Sequence, residues 1–76
     1  MEDKLKEAFS EALGIDKEII NDNLKYNEIP QWDSVAHMSL IGEIEDRFEI
    51  MLDTDDIIDM SSFAKAKEIV LKYLDE

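Results

Sequence analysis

Few residues in this 76-residue chain have side chains that could do chemistry, and they cluster. Asp33 and Ser34 stand directly ahead of an apolar run, His37 follows three residues after the serine, and Asp53, Asp55, Asp56 and Asp59 crowd a short stretch beyond. A serine in the first turn of a helix sits among free backbone amides at the positive end of the helix dipole. A phosphate ester on that hydroxyl is stabilised by about 0.3 to 1 kcal/mol per charge. The same serine is equally ordinary capping chemistry, because Ser and Asp side chains both accept from first-turn amides.

Ser34 and His37 together have the composition of a nucleophile and its base. At 100° per residue, however, His37 falls on the core arc with Leu40 and Ile41, and no second histidine or buried acid is spaced to orient it. A partly buried histidine bonded to loop backbone is expected instead. The four aspartates have the acidity of a calcium loop without its spacing. Counted from Asp53, the fifth, sixth and twelfth positions are Ile57, Ile58 and Ala64, where an oxygen ligand, a glycine and a glutamate are required. No pair of carboxylates is arranged for acid–base catalysis, since no pocket can be inferred in so small a bundle.

The elements that must position these residues follow from hydrophobic periodicity. Leu5, Ala8, Phe9, Ala12 and Leu13 recur at offsets of three and four, predicting a helix from Glu2 to Leu13 with Gly14 as its left-handed C-cap. Asp16 is spaced to cap a brief turn holding Ile19 and Ile20. The stretch NDNLKYNEIPQW is then an irregular connection, long for a loop, with Leu24, Tyr26, Ile29 and Trp32 as its apolar ties. A second helix is predicted from Asp33-Ser34 to about Glu49, its core arc formed by His37, Leu40, Ile41, Ile44 and Phe48. Its opposite arc holds Val35, Met38, Gly42, Glu45, Asp46 and Glu49; a purely solvated face would not need the first two. A short third helix is expected around Asp55 to Asp59, capped by Asp53 or Thr54, with Ile57 and Ile58 pointing inward. The last begins after Ser61 or Ser62 and carries the stripe Phe63, Ala66, Ile69, Val70, Tyr73 and Leu74. No segment alternates with period two. The expectation is one all-α domain over residues 1–76, a small bundle of three main helices plus the short third one.

Composition narrows the partners. Twenty Asp and Glu against eight Lys and Arg give a net charge of −12, with 45% hydrophobic residues. Residues 33–60 alone carry nine acids and one base, so two thirds of the net charge lies on the second helix and the segment behind it. Such a surface repels phosphate backbones and anionic headgroups and steers basic protein partners toward it. Nucleic acid and membrane insertion are therefore not expected. Solubility alone is the simpler use of such charge. The chain has no cysteine and one histidine, which leaves no disulfide framework, no thiolate metal site and no multi-histidine zinc centre. The N-terminal residues lack an uninterrupted apolar segment, so neither signal peptide nor transmembrane helix is expected, and a cytoplasmic monomer is the default.

The segments LKEAFSEALGI, WDSVAHMSLIGEIEDRFEI and DDIIDMSSFAKAKEIVLKYL, with the strong acidity, resemble the acyl carrier proteins and the related peptidyl and aminoacyl carriers over nearly the whole chain. The resemblance implies a four-helix carrier fold with no catalytic group of its own. It implies that Ser34, preceded by Asp33, carries a 4'-phosphopantetheine whose terminal thiol holds an acyl or aminoacyl group as a thioester. A phosphopantetheinyl transferase would bring coenzyme A and magnesium, and the Ser34 hydroxyl would attack the pyrophosphate to retain the phosphopantetheinyl half. The thiol then belongs to the cofactor, which explains thioester chemistry in a cysteine-free chain. Further implied partners are an acyl- or aminoacyl-activating ligase and a condensing enzyme or acyltransferase of fatty acid, polyketide or nonribosomal peptide synthesis. Partner contact falls to Val35, Met38, Gly42, Glu45, Asp46 and Glu49.

The chain departs from the family in two places on that helix. Val35 stands where leucine is commonest, and Gly42 where many relatives carry a larger apolar residue. Glycine there costs about 1 kcal/mol relative to alanine. Trp32, His37 and Met38 look like standalone carriers attached to specialised biosynthetic clusters. In the family cargo can enter between helices, for which Leu40, Ile44, Ile57, Ile58 and Phe63 are the candidate lining, each more simply explained as core. The alternative from a different class is a small acidic protein-binding module with a degenerate carrier fold and no prosthetic group.

Overall fold

The computed structural model describes residues 1–74, so Asp75 and Glu76, counted in the charge above, lie outside the described residues. Among the described residues four α-helices form, α1 (Glu2–Leu13), α2 (Ser34–Phe48), α3 (Thr54–Asp59) and α4 (Phe63–Leu74), with a 3-10 turn at Lys17–Ile19. The first, second and fourth run where the periodicity predicts them, and the all-α architecture is as expected.

Helix α1 buries Leu5, Ala8, Phe9 and Leu13 and stops at Gly14, whose φ of 66° lies in the left-handed region. Its amide donates to the Ser10 carbonyl at 2.9 Å, so the helix ends with that carbonyl satisfied. In the following turn Ile20 is buried while Ile19 is exposed, and the Asp16 side chain makes no capping bond.

The long connection is tied at both ends. Leu24 and Trp32 are buried, and Lys25 forms an isolated antiparallel bridge with Ser62. The Tyr26 amide donates to the Ser61 carbonyl at 2.9 Å and the Phe63 amide to the Leu24 carbonyl at 3.0 Å. These bonds clip the loop to the start of α4, where the Ser62 hydroxyl caps the helix by accepting from the Lys65 amide at 3.0 Å.

The centre of the core is aromatic. Phe9 lies between Trp32 and Phe63, with ring centroids 5.2 and 5.1 Å away and planes at 88° and 84°, the edge-to-face arrangement that ring quadrupoles favour. Leu5, Leu40, Ile44, Met60 and Val70 close around it with at most 1% of their surface exposed.

The third helix corrects one expectation. Ile57 is half-buried, but Ile58 does not point inward: 76% of its surface is exposed. Consecutive helical residues diverge by 100°, and a six-residue helix held to its neighbours on the Ile57 side must turn Ile58 away from them. No residue of α3 is buried and no side chain caps it. Polar bonds hold it instead: Asp56 pairs with Lys72 at 2.8 Å and accepts from the Tyr73 hydroxyl at 2.5 Å, and Asp59 pairs with Lys65 at 3.3 Å.

Candidate functional site

The start of α2 divides capping from exposure. Asp33, in extended backbone, accepts from the Ala36 amide through Oδ1 at 2.9 Å, and its carbonyl accepts from the His37 amide at 2.8 Å. The carboxylate therefore does the capping. Ser34, the first helical residue, is exposed, and among the described residues its hydroxyl has no hydrogen-bond partner. A free hydroxyl thus stands at the positive end of a 15-residue helix, where unpaired amides and the dipole both favour an attached anion.

What fixes that position is a relay through the preceding tryptophan. The Trp32 indole N–H, wholly buried, donates to His37 Nδ1 at 3.0 Å, and His37 Nε2 lies 2.9 Å from the Ile57 carbonyl. Indole nitrogen only donates, so Nδ1 must accept and the ring proton sits on Nε2, donating to Ile57. The half-buried histidine thereby joins the loop, α2 and α3. Its backbone partner is a carbonyl of α3 rather than of a loop, and neither ring nitrogen is left to act as a base toward Ser34. The Tyr26 ring packs edge-on against both Trp32 and His37, at 5.9 and 5.3 Å.

Beside Ser34 a groove of about 410 Å³ opens between α2 and α3. Helix α2 lines it with Ser34, His37 and Met38, α3 with Ile57 and Ile58, and the loops with Tyr26, Met60 and Ser61. Of the residues expected near cargo, Ile57 and Ile58 are on this groove, whereas Leu40, Ile44 and Phe63 are fully buried in the core and outside its lining. The sequence reading missed Tyr26, Met60 and Ser61. The Lys25–Ser62 bridge brings their loops together, and nothing in local spacing announces such a pairing.

The outer face of α2 presents Val35 and Met38 with 76% and 59% of their surface exposed. With Ile58 they make an apolar rim around the serine. Farther along, Gly42, Asp46 and Glu49 are exposed, and a Cβ built at Gly42 would meet nothing within 4 Å. Glu45 differs from its neighbours: its Oε2 accepts from the Leu52 amide at 2.9 Å, so it ties down the chain beyond the helix. Glu49 ends α2 in the left-handed region at φ 55°. Arg47, the one cation of the helix, is spent on Glu7 and Glu43 toward α1, while Asp46 and Glu49 make no ion pair among the described residues.

Two of the four clustered aspartates are held in structural bonds, Asp56 by Lys72 and Tyr73 and Asp59 by Lys65. Lys72 first and Tyr73 second hold the Asp56 carboxyl below its ordinary value, and the same bonds raise Lys72 and Tyr73 above theirs. Among the described residues no group of acids or histidines is gathered to hold a metal ion, and no helix is long and apolar enough to cross a membrane.

An exposed, uncommitted serine hydroxyl with a helix N-terminus behind it and an apolar groove beside it fits a phosphate-linked prosthetic arm. Comparison with known proteins agrees. The phosphopantetheine attachment site family matches residues 3–69. Among solved structures, the solution NMR structure of the holo acyl carrier protein from Geobacter metallireducens is similar, with 25% identity and a TM-score of 0.83, covering 96% of this chain and 84% of that one. None of the curated proteins matches the chain at a significant level. The chain belongs to the phosphopantetheine attachment site family and is a carrier protein of the acyl carrier type, with phosphopantetheine as its prosthetic group and no catalytic activity of its own.

Proposed function

We propose that the chain carries acyl or aminoacyl intermediates as thioesters on a 4'-phosphopantetheine attached to Ser34, and delivers them to partner enzymes of a biosynthetic pathway. The observation that carries this reading is the exposed Ser34 hydroxyl, freed from capping because Asp33 accepts the Ala36 amide. Bound there, the group supplies a terminal thiol for thioester formation.

The chain's own residues support the rest. First-turn amides of α2 stabilise the phosphodiester charge. Val35 and Met38 offer apolar area to an approaching enzyme, Gly42 leaves room for it, and Asp46 and Glu49 attract a basic one from a distance. Partners of this chemistry are a phosphopantetheinyl transferase, an acyl- or aminoacyl-activating ligase, and a condensing enzyme or acyltransferase, with the cytoplasm as the working location. The test is the mass of the Ser34 peptide from protein recovered in its native cells. A phosphopantetheinyl increment on that peptide supports the assignment; an increment on another residue, or none, contradicts it.

A further inference from the structure

Two neighbouring residues at the mouth of α2 compete for one task. Aspartate and serine are near-equal as N-caps, and only the register in which Asp33 caps leaves the Ser34 hydroxyl free. A register one residue later is open at little local cost. Ser34 would then be the extended cap residue, its Oγ accepting the His37 amide that now donates to the Asp33 carbonyl at 2.8 Å. The Ala36 amide would pass from Asp33 to water, since that bond lies on the exposed surface. One hydrogen bond is exchanged and one is handed to solvent, so capping chemistry alone does not fix the register. In the later register the serine oxygen is turned toward the helix amides and its lone pair is engaged.

The Trp32–His37 bond spans five residues and lies across both competitors. Its loop end is held by backbone: the Asn27 amide donates to the Trp32 carbonyl at 3.0 Å and the Trp32 amide to the Ile29 carbonyl at 3.2 Å. Phe9 packs edge-on against the Trp32 ring at 5.2 Å. Taking Ser34 out of helical backbone swings Trp32 relative to His37 and leaves a buried indole N–H without an acceptor, which is the costly way to lose a hydrogen bond. We propose that His37 is a positioning residue for the modification of Ser34: by accepting the Trp32 indole N–H it holds α2 in the capping register that leaves the serine hydroxyl free. This rests on the reading of Ser34 as the attachment residue and adds what keeps its hydroxyl available. In the step it serves, the Ser34 oxygen bonds to the phosphorus that bears the pantetheine, and the P–O bond to the adenosine half of coenzyme A breaks. Adenosine bisphosphate leaves, and the hydroxyl proton passes to the transferase or to solvent. His37 takes no part in that transfer, because both its ring nitrogens are spent on Trp32 and Ile57.

The experiment compares wild type with His37→Asn and His37→Leu in the full chain. Asparagine and leucine have nearly the same shape, and both give up the Ile57 carbonyl; only asparagine keeps an acceptor close to the position of Nδ1. Modification by a broad-specificity phosphopantetheinyl transferase with coenzyme A and magnesium is followed over a range of carrier concentrations, under conditions where circular dichroism shows each chain folded. His37→Leu is expected to lower kcat about fivefold at unchanged KM, since both registers present the same docking face and only one reacts, while His37→Asn stays within about twofold of wild type. In carbon NMR spectra of the unmodified chains, Ser34 should keep helical shifts in wild type and His37→Asn and move toward extended ones in His37→Leu. Equal kcat for the two variants, or a loss that falls wholly on KM as partial unfolding would produce, overturns the proposal and leaves Ser34 as the attachment residue. Should His37→Leu not fold, His37→Asn decides alone: helical Ser34 shifts with near wild-type kcat support the proposal, and extended shifts or a fivefold loss overturn it. A wild type that takes up no phosphopantetheinyl group overturns the reading of Ser34 itself.

Discussion

The Trp32 indole N–H donates to His37 Nδ1 at 3.0 Å, and this one contact fixes which nitrogen of the histidine bears the proton that reaches the Ile57 carbonyl. The residue that ends the loop is thereby linked through α2 to α3, and the serine lies between the two linked residues in sequence.

Replacing that histidine should loosen α3 selectively. His37→Phe keeps an aromatic body but leaves the buried indole N–H and the Ile57 carbonyl without partners, at a cost of about 1–3 kcal/mol. Urea unfolding is expected to register this loss, and amides of α3 should exchange faster relative to those of α1. Unchanged stability with unchanged α3 exchange would contradict the relay.

Charge on the outer face of α2 divides into two roles. Asp46→Lys is expected to slow transferase modification about two- to fivefold at low salt, the difference shrinking as salt screens it. Glu45→Ala should cost about 1–2 kcal/mol of stability, because the Leu52 amide loses its acceptor. Equal modification rates for Asp46→Lys and wild type at low salt would rule out steering through this face.

Backbone chemistry predicts two stabilising changes and one damaging one. Glu49→Gly relieves a left-handed residue and Gly42→Ala removes helix-interior glycine in open space, each gaining about 0.5–1 kcal/mol. Gly14→Ala, at φ 66°, should lose about 1 kcal/mol or more. Thermal unfolding checks all three, and a Gly42→Ala chain that is stabler but modified more slowly would assign the glycine to partner approach.

The α3–α4 latch should respond to pH at both extremes. Asp56 lies below its ordinary 3.8 on folding, so its contribution is present above that value and is lost as pH falls through the lower folded one. Tyr73 and Lys72 are raised above 10.0 and 10.5, so theirs are full below those values and vanish as pH rises through the raised ones. Asp56→Asn is expected to be less stable than wild type at neutral pH, with the gap closing below about pH 3.8 in urea titrations. A gap independent of pH would argue against a charged latch.

Much of this was legible in the sequence because it depends on local rules. Helical periodicity outlined α1, α2 and α4, and the capping residues Gly14, Asp33 and Ser62 marked their ends, which put Ser34 at a helix mouth. The groove was not legible, since Tyr26 and Ser61 meet through backbone pairing across the fold. Ile58 was misjudged because six residues are too few to define a stripe. Glu45 falls on the outward arc, yet its carboxylate reaches the amide of Leu52 once the chain reverses at Glu49, a contact no helical wheel contains.

The central claim is that the Ser34 hydroxyl is the attachment point. Intact mass of wild type and Ser34→Ala after incubation with coenzyme A, magnesium and a broad-specificity phosphopantetheinyl transferase tests it most directly. Wild type should gain one phosphopantetheinyl group and the alanine variant none; an unmodified wild type, or a variant that gains the same mass, would contradict the account.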